Sequence, residues 1–546
     1  MQKKESKAKN TVKNNREAYT GIISGITGVY VFIMLTVFPL FATHMYYNIM
    51  QDKLQFFWIV SCTLTVLTAA AWVCGAVAGG LTVKKPGAVS FKSVLKNISI
   101  PDAFIVFFLL ITIVSTLSSE WLYESFWGNM GRLQGLFIWF WYTAEFFIIS
   151  RWFRIRRLIF DAFLAVGIIV GVWCWLDTMG LDPMGWIGIL SRHAEKMVFS
   201  STFGNINTLT AGFAVYVGIS AVLFSDEHEN RVRAGFYLIC TVVFFTSLIM
   251  GRSDNSLLTV GFVICFLPFY AWKNRQGIVK YIFVLWSFAA GMLISSRLMH
   301  TEAASNPLER YSWGEMLVIA YDKPETVLKL FVIMTAAALA ALLIYLKTVK
   351  DKEKGTRRIT PLPRLIWLAM GIIASAAVVY IFYDANHGGH PELWGPYSNF
   401  LVFNDAWGTH RGYNWRLLFR HFNDFSLFKK LVGSGPETYG IYTRVHDYYE
   451  MSGTFDEIYD SPHNEFLQYM FNTGILGAIG YYGLIVSSAV TAFTRKHADS
   501  IVPAAAFAIL AYTFQSVVNI SAPIVMPLVM LFTAVCLADR SGECEN

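Results

Sequence analysis

The 546-residue sequence is poor in charge and in cysteine. Only 15% of its residues are charged, whereas 55% are hydrophobic. All but one of the seven cysteines fall inside apolar runs, and they show no paired spacing. Neither a disulfide framework nor a zinc site is therefore indicated. The scarcity of charge is typical of an integral membrane protein rather than of a soluble one.

A cleavable signal sequence is also missing from the start of the chain. Six Lys and Arg residues precede the first apolar run, which continues to about Tyr46 without a small-residue cleavage site. We interpret this run as an uncleaved first span. Residues 1–19 before it are predicted to be a basic cytoplasmic tail without folded structure. No internal repeat or further low-complexity segment is evident.

What the sequence has instead is a long series of apolar runs. Each is long enough to cross roughly 30 Å of hydrocarbon as a helix. Fourteen candidate spans lie near residues 20–46, 55–80, 101–118, 135–150, 158–177, 207–224, 235–251, 255–272, 281–297, 327–346, 365–384, 466–494, 501–519 and 522–538. We therefore expect an all-α polytopic membrane protein with about 14 transmembrane helices.

The distribution of positive charge predicts the orientation of these spans. Roughly 29 of the 44 Lys and Arg residues fall in the two termini and in alternate loops, which would share one face of the membrane. This bias is typical of the cytoplasmic side. Both termini, including residues 539–546, are then cytoplasmic. Because the positive charges follow the membrane topology, the net charge of +7 does not indicate a nucleic-acid partner. The pattern fits a bacterial cytoplasmic membrane.

One long polar segment interrupts the apolar series. Residues 20–384 hold the first eleven spans and residues 466–538 the last three, so the segment 385–465 is predicted to be a large extracytoplasmic loop. Its Trp415, Leu418, Phe419 and Phe422 have the spacing of one apolar helix face, which indicates short helices within the loop. A multi-span protein with one such loop usually has its reactive side chains there.

His463 is the strongest candidate for catalysis in this loop. It follows Ser461-Pro462 at the junction with the twelfth span, where water meets the membrane. A histidine in that position can accept a proton near neutral pH and can serve as a general base for an alcohol. Asn464 could cap the next helix or hold a substrate hydroxyl. The alternative is an interfacial histidine that only hydrogen-bonds a helix end.

Two arginines on the same predicted face are candidates for binding phosphate. Arg252 directly follows the seventh span, and Arg411 lies at the start of the polar motif 410–416. Arginines are less common on the extracytoplasmic side, and two guanidinium groups in one pocket would form a fork for phosphate oxygens. Each arginine could instead be a surface anchor or pair with Asp254 or Asp405.

Further polar residues could line a substrate groove on that face. Arg132 lies in a glycine-rich loop, and Asn205 and Asn207 belong to the glycine-containing segment 201–207. Both segments could equally be simple turns between spans. His387 and His390 lack supporting cysteines or clustered carboxylates, so we predict no metal site.

Taken together, these motifs resemble the O-antigen ligase and O-antigen polymerase family of bacterial membrane glycosyltransferases. The resemblance is carried by Arg411 four residues before Trp415, by Gly433-Ser434-Gly435-Pro436-Glu437, by Pro462-His463-Asn464-Glu465-Phe466-Leu467 and by Gly474-Ile475-Leu476-Gly477. Shorter signatures, Phe203-Gly204-Asn205-Ile206-Asn207 and Gly251-Arg252-Ser253, precede them in the family's order. The match covers roughly residues 195–540, whereas the N-terminal third matches poorly and the spans outnumber those of the usual ligase.

The resemblance implies a helical membrane enzyme that works on the outer face. Such enzymes move a glycan from a polyprenyl pyrophosphate carrier to an acceptor hydroxyl on a glycan, lipid or protein, with no metal or other cofactor. By position, Arg252 and Arg411 match the family's pyrophosphate-binding arginines and His463 its proposed base. Arg416, Glu437 and Asn464 are possible groove residues together with Arg132, Asn205 and Asn207.

Two questions stay open at this point. Neither polymerase nor ligase activity is favoured by the residues. A transporter or flippase of lipid-linked glycans is the alternative class, and it would be expected to show paired broken spans and ionisable residues at mid-membrane. We find no clear pairing of such spans, although Glu145 lies inside the fourth span.

Overall fold

The computed structural model is an almost entirely helical bundle that carries a cap of short helices. It describes residues 2–78, 98–128, 132–304, 308–348, 355, 357–388, 390–395, 398–455, 458–496 and 498–538. The predicted C-terminal tail, 539–546, and most of the predicted basic loop 81–98 lie outside these ranges.

The first part of the chain forms the larger share of the bundle. In chain order its helices are α1 (Gln2–Thr36), α2 (Ile49–Val77), α3 (Ile100–Leu117), α4 (Leu122–Trp127), α5 (Leu136–Trp152), α6 (Arg157–Thr178), α7 (His193–Val198), α8 (Ile206–Asp226), α9 (Arg231–Met250), α10 (Asn255–Ala271), α11 (Arg275–Met299), α12 (Glu315–Asp322), α13 (Pro324–Thr348) and α14 (Leu362–His387). Short 3₁₀ turns are found at Phe38–Leu40, Ser201–Phe203, Glu302–Ala304 and Arg310–Ser312.

The polar segment after α14 folds into five short helices, and three further helices complete the bundle. The short helices are α15 (Pro391–Trp394), α16 (Ser398–Leu401), α17 (Trp407–Asp424), α18 (Leu427–Val432) and α19 (Tyr439–Phe455). The closing helices are α20 (Glu465–Thr494), α21 (Ile501–Gln515), extended by a 3₁₀ turn at Ser516–Val518, and α22 (Met526–Val535). The short helix predicted around Trp415 is therefore confirmed as α17, with Leu418 and Phe422 buried and Phe419 exposed.

Within the described ranges, eleven helical segments are long and apolar enough to cross a membrane. The expected all-α polytopic membrane protein is thus confirmed. The number of long spans is smaller than the fourteen expected from hydropathy, because three of the predicted runs fold as shorter helices. These are α5, α10 and α22, and α22 has only 10 residues.

The start of the bundle also differs from the sequence-based expectation. The backbone of the basic tail continues into α1 as one helix from Gln2. The first apolar run does not stay helical to Tyr46, because Pro39 lies in a 3₁₀ turn just after α1. Proline has no backbone N–H, so it cannot make the hydrogen bond that a continuing α-helix requires at this position.

The centre of the bundle is built on the contact of α8 with α21. Every residue of the apolar stretch of α8 is buried inside the protein. A Cβ added to Gly218 would lie 2.8 Å from the Ala508 Cα, so the small residue permits this close approach. By contrast, no residue of the apolar stretch of α14 is buried, so this helix lies at the margin of the bundle.

Candidate active site

Two glycine motifs of the sequence, Gly433-Ser434-Gly435 and the one that begins at Gly474, meet where the cap of short helices packs on α20. Ser434 N–H and Gly435 N–H donate to the carbonyls of Phe471 (3.1 Å) and Asn472 (2.9 Å). Gly433 and Gly474 both have positive φ, 84° and 72°. A Cβ on either would come within 2.3 Å of the backbone opposite, so only glycine fits at this crossing. The segment 433–438 is thereby fixed beside the start of α20.

His463 lies at the N-terminal end of α20, in a rigid segment. Its φ is 50°, in the left-handed region that non-glycine residues seldom adopt. Its N–H donates to Ser461 Oγ (3.2 Å), and the carbonyl of the preceding Pro462 accepts from Trp415 Nε1 (2.9 Å). On the other side, Asn464 Oδ1 accepts from Leu467 N–H (3.0 Å) and caps α20, as the sequence predicted.

The side chain of His463 is half-buried. Within the part of the chain that the structure describes, the hydrogen bond found for this residue is made by its backbone N–H and not by its ring. The alternative in which this side chain hydrogen-bonds the end of a helix is therefore not seen; Asn464 has that role. Residues held in sparsely populated backbone conformations are concentrated at functional sites, because only the surrounding structure keeps them there.

Arg411 lies beside this segment, at the beginning of the regular part of α17. Three consecutive residues with positive φ, Gly408, Thr409 and His410, turn the chain sharply just before it. His410 Nδ1 and the Tyr459 hydroxyl are 2.7 Å apart, which links this turn to the His463 segment. Arg411 Nη1 donates to the Gly408 carbonyl (2.6 Å), and its Nε is buried without a partner among the described residues.

The side chain of Arg411 forms part of the wall of a large cavity. The cavity has a volume of about 630 Å³. Its polar lining includes Asp254 and Glu315, and its apolar lining includes Leu257 and Phe400. The lining therefore combines one guanidinium group and two carboxylates with apolar side chains, which suits an amphipathic ligand.

Arg132 and Glu437 are on another side of His463. Arg132 Nη2 donates to Asp460 Oδ1 at 2.8 Å, and Asp460 lies three residues before His463. Glu437, in the crossing segment, is buried with φ 61° and accepts from Gln468 Nε2 at 3.3 Å. The charges of Arg132 and Arg411 therefore act on His463, and the charge of Arg132 also acts on Glu437.

The electrostatics of this site follow from burial and from the two arginines. Burial, and then the positive charges of Arg132 and Arg411, hold the pKa of His463 well below its ordinary value, against the opposing effect of Asp460. The imidazole is thus neutral at neutral pH. Burial raises the pKa of Glu437 to about 8, although the charge of Arg132 acts in the opposite direction.

Arg252 has different surroundings from the other two arginines. Its side chain is 2% exposed, and its Nη1 and Nη2 donate to the carbonyls of Met197 (2.8 Å) and Phe199 (3.2 Å). The residue itself has φ 62°. The neighbouring Asp254 lines the cavity with Arg411, so the turn between α9 and α10 reaches the site, but the guanidinium group of Arg252 already binds the backbone.

Asn205 and Asn207 are found in the hydrogen-bonded frame around that turn. Asn205 Oδ1 caps α8 by accepting from Asn207 N–H (2.8 Å). Asn207 Oδ1 accepts from Ser253 Oγ (2.7 Å) and from Asn255 Nδ2 (3.1 Å). The two short signatures of the sequence therefore contact each other. They fix the turn that carries Arg252.

Arg416 pairs with a carboxylate within the cap of short helices. Arg416 forms a two-pronged ion pair with Asp405, with Nη2 2.7 Å from Oδ2, and both side chains are about half exposed. No group of three or more His, Cys, Asp or Glu side chains within the described ranges could hold a metal ion. His390 faces Asp384 at 3.3 Å.

Sequence reasoning missed Asp460. Its acidic side chain stands directly before Ser461-Pro462-His463, and a carboxylate so close to a candidate base was a usable signal. Its partner, Arg132, lies 328 residues away along the chain. Only the folded structure brings these two residues together.

Comparison with known proteins identifies the region that holds most of this site. No curated protein matches the chain. Residues 328–482 match the family model described as O-antigen ligase. This stretch includes the short-helix cap, Arg411, Glu437, Asp460 and His463, whereas Arg132 and Arg252 lie before it. The predicted resemblance to the O-antigen ligase family is thus confirmed for residues 328–482, within a chain whose long apolar helices are those of a membrane protein.

Proposed function

We propose that the protein transfers a glycan from a polyprenyl pyrophosphate carrier to an acceptor hydroxyl at the outer face of a bacterial cytoplasmic membrane. The observation that carries the proposal is the neutral imidazole of His463 beside Arg411, within the region that matches the O-antigen ligase family. A base next to an anion-binding side chain is what glycosyl transfer with a pyrophosphate leaving group requires.

The cavity offers a place for the carrier. Its apolar wall, with Leu257, Phe400 and Val518, would contact the first isoprenoid units of the carrier. Arg411, at the polar wall, has N–H groups left to bind the pyrophosphate and to stabilise the negative charge that develops as it leaves. The lipid tail would continue from the apolar wall into the bilayer.

The bonds change in one displacement at the anomeric carbon. His463 removes the proton of the acceptor hydroxyl, and the oxygen attacks the anomeric carbon from the face opposite the pyrophosphate. The new bond forms between that oxygen and the carbon, while the carbon–phosphate-oxygen bond breaks and its electrons stay on the pyrophosphate. This course inverts the configuration, and no step in it uses a metal ion.

Arg252 remains a predicted second arm of the pyrophosphate-binding site. To fill this role, its guanidinium group would have to bind phosphate with the donors that are not used by Met197 and Phe199. It lies two residues before Asp254, which lines the cavity. The role of Arg252 is therefore separable by experiment from that of Arg411.

The decisive experiment measures release of free polyprenyl pyrophosphate by the protein purified in detergent. The substrate is a polyprenyl-pyrophosphate-linked oligosaccharide, with the His463→Ala variant assayed in parallel. Release that depends on His463 and gives a ladder of longer products would establish a polymerase. Release that gives a single product, and only with an added acceptor, would establish a ligase. Absence of release with every acceptor would contradict the proposal.

A transporter of lipid-linked glycans is the second candidate, because of Glu145. This residue lies in the middle of α5 and is 1% exposed, so its side chain is enclosed within the protein. Buried acids in membrane helices often serve transport. If the protein translocated a lipid-linked glycan in vesicles, and Glu145→Gln abolished that movement, this second function would replace the first.

A further inference from the structure

Arg132 and Asp460 form an ion pair at the edge of the His463 site. Arg132 Nη2 lies 2.8 Å from Asp460 Oδ1, and the Arg132 side chain is only 14% exposed. Its Nε is buried without a hydrogen-bond partner among the described residues. The pair joins the loop before α5 to the segment before α20. A partly buried ion pair is worth more than an exposed one, because solvent screens it less.

The backbone around Asp460 is held firmly with respect to His463. The preceding residue, Tyr459, contacts His410 through its hydroxyl, and the following residue, Ser461, accepts from the His463 N–H. On a third side, Gly440 leaves no room for movement, since a Cβ there would lie 2.7 Å from the Asp460 carbonyl oxygen. The segment that carries both Asp460 and His463 is therefore fixed, and the ion pair with Arg132 holds the carboxylate of Asp460 in place within it.

We propose that Arg132 and Asp460 are a pair of positioning residues that set the protonation state of His463 during glycan transfer. This inference rests on the proposed function. The two side chains carry opposite charges and act on the same imidazole, so each controls one stage of proton transfer. Arg132 keeps the ring neutral before the reaction, and Asp460 stabilises the imidazolium ion that forms when the acceptor proton has been removed.

The other charged groups around His463 do not duplicate this pair. Arg411 on α17 acts in the same direction as Arg132, but it belongs to the carrier cavity, where a bound pyrophosphate would neutralise it. Glu437 is hydrogen-bonded to Gln468, and the charge of Arg132 lowers its pKa. Asp460 is thus the carboxylate that favours the protonated form of His463.

The ion pair also explains why Asp460 stays ionised. Burial on its own raises the pKa of Asp460, but the charge of Arg132 and its hydrogen bond hold that pKa below the ordinary value. The carboxylate is consequently negative at neutral pH. Removing Arg132 would therefore affect both the carboxylate and the imidazole, whereas removing the charge of Asp460 leaves Arg132 unpaired.

The test is the pH dependence of kcat/KM for polyprenyl pyrophosphate release by Arg132→Gln, Asp460→Asn and the double variant. The acidic limb of this profile is the pH range in which kcat/KM rises as His463 loses its proton. In Arg132→Gln we expect the midpoint of this limb to lie about 1 pH unit higher, since a positive charge next to the base is lost. In Asp460→Asn we expect a move in the opposite direction. In the double variant both charges are gone, and the limb should return close to the wild-type position.

A matched control comes from the same loop. Arg420 pairs with Glu450 at 3.0 Å, between α17 and α19, and Arg420→Gln should leave the acidic limb in place. Gel filtration and thermal midpoints in detergent show whether each variant is folded. A purely structural role would lower activity in both single variants without opposite shifts, and would not be relieved in the double variant.

The outcomes separate this inference from the proposed function. If wild-type release requires His463 and both single variants keep the wild-type limb, the ion-pair inference is wrong and the glycosyl-transfer proposal stands. If His463→Ala releases polyprenyl pyrophosphate as fast as the wild type, the base assignment itself is wrong, and this inference falls with it. Opposite shifts that cancel in the double variant would support both.

Discussion

Two arginines of this protein, Arg252 and Arg411, have the same chemistry but contrasting surroundings. The terminal N–H groups of Arg252 donate to the carbonyls of Met197 and Phe199, in the frame between α8 and α10. Arg411 donates one hydrogen bond to the nearby Gly408 carbonyl and lines the cavity. The fully buried arginine thus holds backbone segments together, whereas the partly buried one faces an open site.

The contrast teaches that a charged residue in a signature motif has two physical uses. A guanidinium group has five N–H donors, so it can hold distant backbone segments together or bind an anion. In the frame, neutral carbonyls satisfy the donors. In the His463 region, Arg411 and Arg132 are near an imidazole, and their combined charge changes its pKa. The following experiments test whether this division of roles holds.

The largest effect is expected from His463→Ala. Loss of a general base typically costs a factor of 10²–10⁴ in rate. We expect polyprenyl pyrophosphate release to fall by about this much while the thermal midpoint in detergent stays near the wild-type value. His446→Ala, at an exposed position on α19, is the matched control and should retain activity. Comparable losses in both variants would argue against a special role for His463.

Arg411→Gln is expected to have the next largest effect. A lost donor to a developing negative charge costs on the order of 10²–10³ in rate. Because the Arg411 side chain makes one local hydrogen bond to Gly408, we expect only a small change in thermal midpoint. Initial rates of release and detergent melting curves measure the two quantities. Near-normal turnover would show that Arg411 does not bind the leaving group.

Arg252→Gln should change stability more than chemistry. Two buried carbonyls would lose charged donors, at a cost of about 1–3 kcal/mol for each unsatisfied group. We expect a lower thermal midpoint and weaker protection of the 197–205 segment from hydrogen exchange. If the midpoint is unchanged and release falls as far as in Arg411→Gln, Arg252 belongs with the phosphate-binding side chains and the contrast between the two regions disappears.

Glu437→Gln should reduce the loss of stability as the pH rises from about 4.3 to about 8. Burial raises the folded-state pKa of Glu437 to about 8. Between the ordinary value of about 4.3 and this value, the folded protein keeps a proton that the unfolded chain has lost, so stability falls with rising pH by about 1.4 kcal/mol per unit. Thermal midpoints between pH 5 and pH 9 should fall less in the variant than in the wild type. Parallel curves would contradict this assignment.

The smallest expected effect is a difference between two pH profiles of the wild type. In the free protein, the positive charges of Arg132 and Arg411 contribute to the low pKa of His463. A bound pyrophosphate would offset these charges and raise the pKa of the imidazole. The acidic limb of kcat, which reports the complex, should then lie above that of kcat/KM, by about 1 pH unit. If the acidic limbs of kcat and kcat/KM coincide, the bound pyrophosphate does not change the pKa of the imidazole and must lie away from it.

Much of the scaffold could be predicted from the sequence, because hydrocarbon imposes a simple rule on each helix by itself. Runs of apolar residues near 20 in length gave most of the long helices, and the short helix around Trp415 followed from its spacing. The shortening of α22 could not be predicted in this way, since the buried residues that directly flank it are apolar as well: Ile524, Val525, Leu537 and Ala538. Hydropathy cannot distinguish helix from buried turn.

The individual candidates for the site could also be named from the sequence, but not their roles. Asn464 caps α20 as predicted, since a cap depends on residues three positions apart. The positions of Asn207 and Arg252 in a backbone frame depend on partners in other segments. The Met197 and Phe199 carbonyls are 55 and 53 residues from Arg252. No local pattern reports a contact across such a distance.

The sequence by itself determined a helical membrane protein with a polar cap that holds His463 and Arg411. The length of each apolar run and the order of the motifs along the chain are enough to indicate this. Only the tertiary structure decided which arginines keep donors for a ligand, and that Asp460 lies against Arg132. The physical reason is that hydrogen bonds and charges act between neighbours in space. Their neighbours here come from segments that only the folded bundle brings together.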